Sequence, residues 1–148
     1  MMFQRINAGT AERVFQIVFN VAGGTVTANY PVCWDQSSTA DGVRVTQPIT
    51  ANLSLLVGIA TADITNSSYG KVQCYGYRAS AFVTADTSQA VNNGDILIPV
   101  TGQYYLTRSA ASDGKSGFIY AAGGSGTIAY ATMTTPVAAN KAVLIRML

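Results

Sequence analysis

Leu55-Leu56-Val57-Gly58-Ile59-Ala60, Gly70-Lys71-Val72-Gln73-Cys74-Tyr75-Gly76 and Asn92-Asn93-Gly94-Asp95-Ile96-Leu97-Ile98-Pro99 decide the fold class of this chain. Each run has the length and the β-branched or aromatic content that suits a pleated, half-buried surface, and each break falls on Gly, Asn, Asp or Pro. Leu55 to Ala60 is apolar throughout, which predicts a strand covered on both faces. In the second run Val72, Cys74 and Gly76 share one face, and a glycine inside such a strand predicts curvature there, at a bulge or barrel corner.

Upstream, Val14 to Val21 alternates: Val14, Gln16, Val18 and Asn20 lie on one face, Phe15, Ile17, Phe19 and Val21 on the other. The wholly apolar second face is the expected buried side. Ala22-Gly23-Gly24 turns the chain into a short element around Val26 and Ala28. Pro31 places Tyr30 to Asp35 at a sheet edge or a strand start, because proline cannot donate to a central ladder. Gln36 to Gly42 is a loop, and Val43 to Gln47 is a strand that Pro48 stops. Downstream, Tyr77 to Thr84 continues the sheet, and Asp95 to Val100 and Gln103 to Thr107 form two strands joined around Thr101-Gly102. Thr127 to Thr132 and Ala142 to Met147 are the last strands, with a helical turn in Thr134 to Asn140 where proline suits a helix start.

Residues 1 to 13 lack a clear period and read as an extended N-terminal arm on a single β domain of residues 14 to 148. The fold class expected is all-β, a small β barrel or sandwich with little or no helix. At 148 residues the chain can bury roughly 68 to 70 % of its unfolded surface, enough for one core.

Charged residues are only 11 % of the chain, against about 25 % in ordinary soluble domains. A surface so neutral favours association with other protein. The nine basic residues are scattered singly, so no run exists to neutralise a phosphate backbone, and nucleic acid is not an expected partner. No stretch approaches the 18 apolar residues of a membrane span, and the first residues lack the apolar core of a signal peptide. A soluble, unexported protein is expected, with Cys33 and Cys74 as buried, reduced thiols, the alternative being a bridge between them.

Histidine is absent, which removes the commonest general base and metal ligand together. Asp41, Asp95 and Asp113 stand beside glycines as turn residues. Gly114-Lys115-Ser116 has Ser109 where a phosphate-binding loop needs glycine, and Ser125 among its glycines has no base to activate it. No enzyme, cofactor, metal site or small-molecule substrate is expected. The eight tyrosines suit core packing, a protein contact or a sugar platform.

The central stretch resembles the decoration, or cement, proteins of tailed-bacteriophage heads. The resemblance rests on Val57-Gly58-Ile59-Ala60, then Gly70 to Gly76, then Ala81-Phe82-Val83, Gly94-Asp95 and Gly102, about a third of the chain. It implies a virion structural protein, made in the host cytoplasm, that binds the outside of a phage head and reinforces the capsid lattice. Its implied partners are the major capsid protein and itself, as a homotrimer. The alternatives are another particle component (tail-tube, neck or fibre-associated β protein) or a carbohydrate-binding β module. Phe3, Arg5, Ile6 and Arg13 are the expected capsid-contact residues, two apolar anchors and two guanidinium forks on the arm.

Overall fold

The computed structural model describes residues 12–37, 39, 41–85, 90–109, 119–123 and 138–147. Nine strands follow one another among them: β1 (Val14–Asn20), β2 (Pro31–Trp34), β3 (Arg44–Thr46), β4 (Leu56–Ala60), β5 (Tyr69–Thr84), β6 (Ile96–Pro99), β7 (Leu106–Arg108), β8 (Ile119–Ala121) and β9 (Ala138–Arg146). A single 3-10 turn, Leu53–Leu55, leads into β4. The all-β expectation holds.

The pairings close into two circuits. One runs β1-β3-β2-β4-β5 and returns through an antiparallel β1–β5 ladder; the other runs β5-β7-β6-β8-β9 and returns through an antiparallel β5–β9 ladder. Two five-strand barrels therefore share the 16-residue β5. The buried side chains divide accordingly, into Val18, Val26, Val32, Val45, Val57, Ala60, Ile64 and Val72 in the first barrel and Ile59, Ala81, Val83, Val91, Leu97, Leu106, Ile119, Ala121, Val143 and Ile145 in the second. The length of the chain suggested one core, and the structure has two.

Bulges let β5 serve both barrels. Against β1 the register passes from Gln73 to Tyr75, and against β9 it shifts between Arg78 and Ala81. An extra residue reverses which side chains face inward. Val72 thus fills the first barrel, while Ala81 and Val83 fill the second. Gly76 sits between these irregularities at φ 94°, and a Cβ there would overlap the Glu12 carbonyl oxygen. Only glycine meets both conditions. The curvature expected in this strand is present.

β4 shows why its run is apolar throughout. Against β2 the register skips Val57, so Val57 and Ala60 face the first core and Ile59, with Leu56 beside it, faces the second. Pro31 starts β2, which lies between β3 and β4, and Val26 forms an isolated bridge to Ile64. The joint between barrels is tied by Arg78. Its Nη2 donates to Asn29 Oδ1 at 2.6 Å and the Ala60 carbonyl at 2.8 Å, and its Nε donates to the Ser80 carbonyl at 2.7 Å.

Three expectations change. First, the buried face of β1 carries Val18 and Asn20, whereas Phe15 and Ile17 are exposed. Six of the eight buried members of the first core are valine. Asn20 is kept inside by its bonds: Nδ2 donates to the carbonyls of Gly24 and Ile64, both at 2.8 Å, and Oδ1 accepts from the Ala22 N–H. A buried amide satisfied in this way carries little penalty. Second, β9 begins at Ala138, so the last residues of the expected helical turn are strand, drawn into the long ladder with β5. The strand Thr127 to Thr132 lies outside the described residues. Third, β7 is only Leu106–Arg108, because Tyr104 leaves the ladder to stack on Tyr30 at 4.9 Å between ring centroids.

Candidate functional site: an apolar outer face on the first barrel

The outer surface of the β1–β5 ladder is the feature that packing inside the chain does not explain. Phe15 faces Gln73, Ile17 faces Lys71 and Phe19 faces Tyr69 across the pair. Phe15 is 42 % exposed, Ile17 59 % and Tyr69 70 %, and the Phe19 and Tyr69 rings meet at 5.0 Å. Lys71 Nζ stands 4.9 Å from the centre of the Phe15 ring, a cation–π contact that leaves its charge toward water. Contiguous exposed apolar groups rimmed by charge mark a site of interaction, whereas single exposed residues do not. The second barrel adds Tyr77 and Leu144, which face each other across β5–β9 and are both exposed.

Among the described residues, no strand pairs with the edge beside this face at Phe15 and Ile17. Phe19 N–H donates to the Val43 carbonyl and Val21 N–H to the Val45 carbonyl, both at 2.9 Å on the β3 side, while Asn20 N–H turns to Ser68. By this alternation Ile17 and Phe15 also point their N–H and C=O groups to the β3 side. β3 reaches no further than the pair Phe19 with Arg44. Asp41 stops it, because its Oδ1 accepts the N–H groups of Val43 and Arg44, both at 3.0 Å. Those bonds, Val43 first, hold the Asp41 carboxyl below the usual range, with help from the Arg44 side chain.

Of the four residues expected to contact a capsid, Arg13 alone is described. It is exposed, and its backbone, with that of Glu12, crosses β5 over Gly76. Arg13 is near enough to Arg78 to add to the lowering of that guanidinium's pKa, after burial. Phe3, Arg5 and Ile6 lie outside the described residues. Sequence reasoning placed Phe15, Ile17 and Phe19 in the core and did not single out Tyr69. The signal that could have found the face is the facing alternation Tyr69, Lys71 on β5, which is as exposed as its partner.

No group of three His, Cys, Asp or Glu side chains that could hold a metal occurs among the described residues. Cys33 and Cys74 are both free and buried. Burial pushes the Cys33 thiol up to about 12 and raises that of Cys74, so neither is a nucleophile at neutral pH. The aromatic group of Tyr30, Phe82 and Tyr104 packs ring on ring; desolvation, then Tyr30, raises the Tyr104 pKa. As a sugar platform the outer face is poorly equipped: Phe19 and Tyr69 are tilted by 59°, and the nearby Gln73 amide is engaged by the carbonyls of Tyr75 and Tyr77. No helix among the described residues is long and apolar enough to cross a membrane.

No protein-family model and no curated protein matches the sequence. Among solved structures, the chain is similar to the N base of head fiber gp8.5 in bacteriophage phi29, with a TM-score of 0.49 and 14 % sequence identity over 92 % of this chain and 96 % of that one.

Proposed function

We propose that this chain is a non-enzymatic structural protein of a phage particle, binding the outside of the head and reinforcing the capsid lattice. The observation that carries this reading is the outer face of Phe15, Ile17, Phe19 and Tyr69 on a chain with 11 % charged residues. Attachment of this kind needs apolar contact area and good packing and requires no reacting group. The central glycine and strand pattern shared with decoration proteins supports the same reading. The proposed partners are the major capsid protein and, in a trimer, copies of the chain itself. Repetition around a symmetric oligomer converts weak contacts into lasting attachment through effective concentration. The arm, with Phe3, Arg5, Ile6 and Arg13, is proposed as a second contact.

Electron microscopy and mass spectrometry of purified particles test it. Many copies on the head lattice are expected, with native mass spectrometry showing trimer. Copies confined to the tail would make the chain another particle component, and absence from the particle would overturn the reading.

A further inference from the structure

We infer that Lys141 and Asn93 form a covalent cross-link site, at which the lysine amine displaces ammonia from the asparagine amide and joins the last strand to the turn before β6. This goes beyond the particle reading and does not rest on it. Lys141 lies on the inward face of β9 with Val143 and Ile145, opposite Ala81 on β5, and is fully buried in the second barrel. Its Nζ donates to Asn93 Oδ1 at 3.1 Å, across 48 positions of chain. A lysine amine is one of the nucleophiles that proteins direct at carbonyl carbon. Here the acceptor oxygen belongs to a side-chain amide, whose Cγ carries nitrogen as a leaving group.

The turn holds Asn93 in place and closes its competing route. Asp95 N–H donates to the Asn92 carbonyl at 3.3 Å, Asn92 N–H to Asp95 Oδ2 at 2.7 Å, and Ala121 N–H to the Asp95 carbonyl at 2.8 Å. In an Asn-Gly pair the usual attacker on the side-chain amide is the next backbone nitrogen, which gives a succinimide. Gly94 N–H instead donates to the Ala121 carbonyl at 2.8 Å, and that leaves the Lys141 amine as the nucleophile beside Cγ. Asn93 is exposed, so its amide can turn its face to Nζ and the leaving group has a way out to water. In the step, Nζ bonds to Cγ, the Cγ–Nδ2 bond breaks, and a proton passes from Nζ to Nδ2. An ammonium side chain and a carboxamide thus give a secondary amide and an ammonium ion, with no oxidant, metal or further reactant. Holding the two groups together supplies an effective concentration that reaches about 10⁵–10⁸ M in well-oriented cases, and the step is needed once per molecule. It also moves a charge from the barrel interior to water, which favours the exchange. The product fastens β9 covalently to a barrel that ladders of hydrogen bonds otherwise close, in a chain whose two cysteines are free.

The full chain, kept folded through a prolonged incubation, is weighed intact under denaturing and reducing conditions, then digested and sequenced by tandem mass spectrometry. It should be lighter than its sequence by one ammonia, and the digest should contain a branched peptide that joins the segments of Asn93 and Lys141. Asn93→Ala, a change at an exposed turn position, should restore the full sequence mass and the separate linear peptides. Lys141→Met should do the same. A wild-type chain at its full sequence mass would overturn the inference. So would ammonia loss confined to a linear Asn93-Gly94 peptide that base opens to aspartate and isoaspartate, which would assign the loss to the backbone nitrogen. Ammonia loss that persists in Asn93→Ala would overturn it too, by placing the chemistry elsewhere.

Discussion

The two barrels share β5 and differ in what fills and covers them. The first is packed almost entirely with valine, and its aromatic residues on β1 are turned out to solvent. The second holds Leu97, Leu106, Ile119 and Ile145 inside, and its long β5–β9 ladder closes the circuit through residues 75 to 84. The difference teaches that a strand with one wholly apolar face need not bury that face. The first ring takes small side chains inside, even with the Asn20 amide among them, because that amide is bonded.

The strongest way to break this arrangement is Gly76→Ala. The new methyl group would meet the Glu12 carbonyl in a backbone conformation that alanine resists, so a loss on the order of 3 kcal/mol or more is expected. Denaturant unfolding should show one transition for both barrels, since β5 belongs to each; two separated transitions would mean that the barrels fold independently. Next come matched core deletions. Leu97→Ala in the second barrel should cost about 3 kcal/mol and Val45→Ala in the first about 2 kcal/mol, following the carbon removed plus the cavity left. A larger cost at Val45 would show that the valine ring relaxes less than its neighbour.

A smaller effect separates the thiols. Cys33 is fully buried and Cys74 slightly accessible, so a thiol reagent at pH 8 should label Cys74 first and Cys33 only as fast as the first barrel opens; prompt labelling of Cys33 would contradict its burial. The smallest effect is at Asp41. Because the folded state lowers its pKa, its contribution is fully present above the unfolded carboxylate range and is lost as pH falls through the depressed value. Asp41→Asn should therefore flatten the acid limb of the stability curve and leave neutral pH nearly unchanged. An acid limb identical to wild type would show that the Asp41 bonds do not form in solution.

Strand positions were readable because alternation and glycine or proline punctuation are local. β2, β3, β4 and the N-terminal half of β5 fall within two residues of where the pattern puts them. The apolar character of β4 on both faces was equally plain. β8 was missed, since three residues after a polar run carry no usable period, and β9 was started too late because its first residues are drawn in by pairing with β5. The absence of histidine and the scarcity of charge pointed away from catalysis without help from the fold.

The sequence by itself determined the all-β class and the turn positions, since each depends on residues near one another in the chain; the Glu12 carbonyl that requires glycine at position 76 is set by the tertiary structure. Tertiary structure alone decided that two barrels share one strand, that Phe15 and Ile17 face water, and that β3 stops at Asp41 before it reaches the first half of β1. Those outcomes depend on how much volume a closed ring encloses and on which distant strand arrives beside which, neither of which a one-dimensional period encodes.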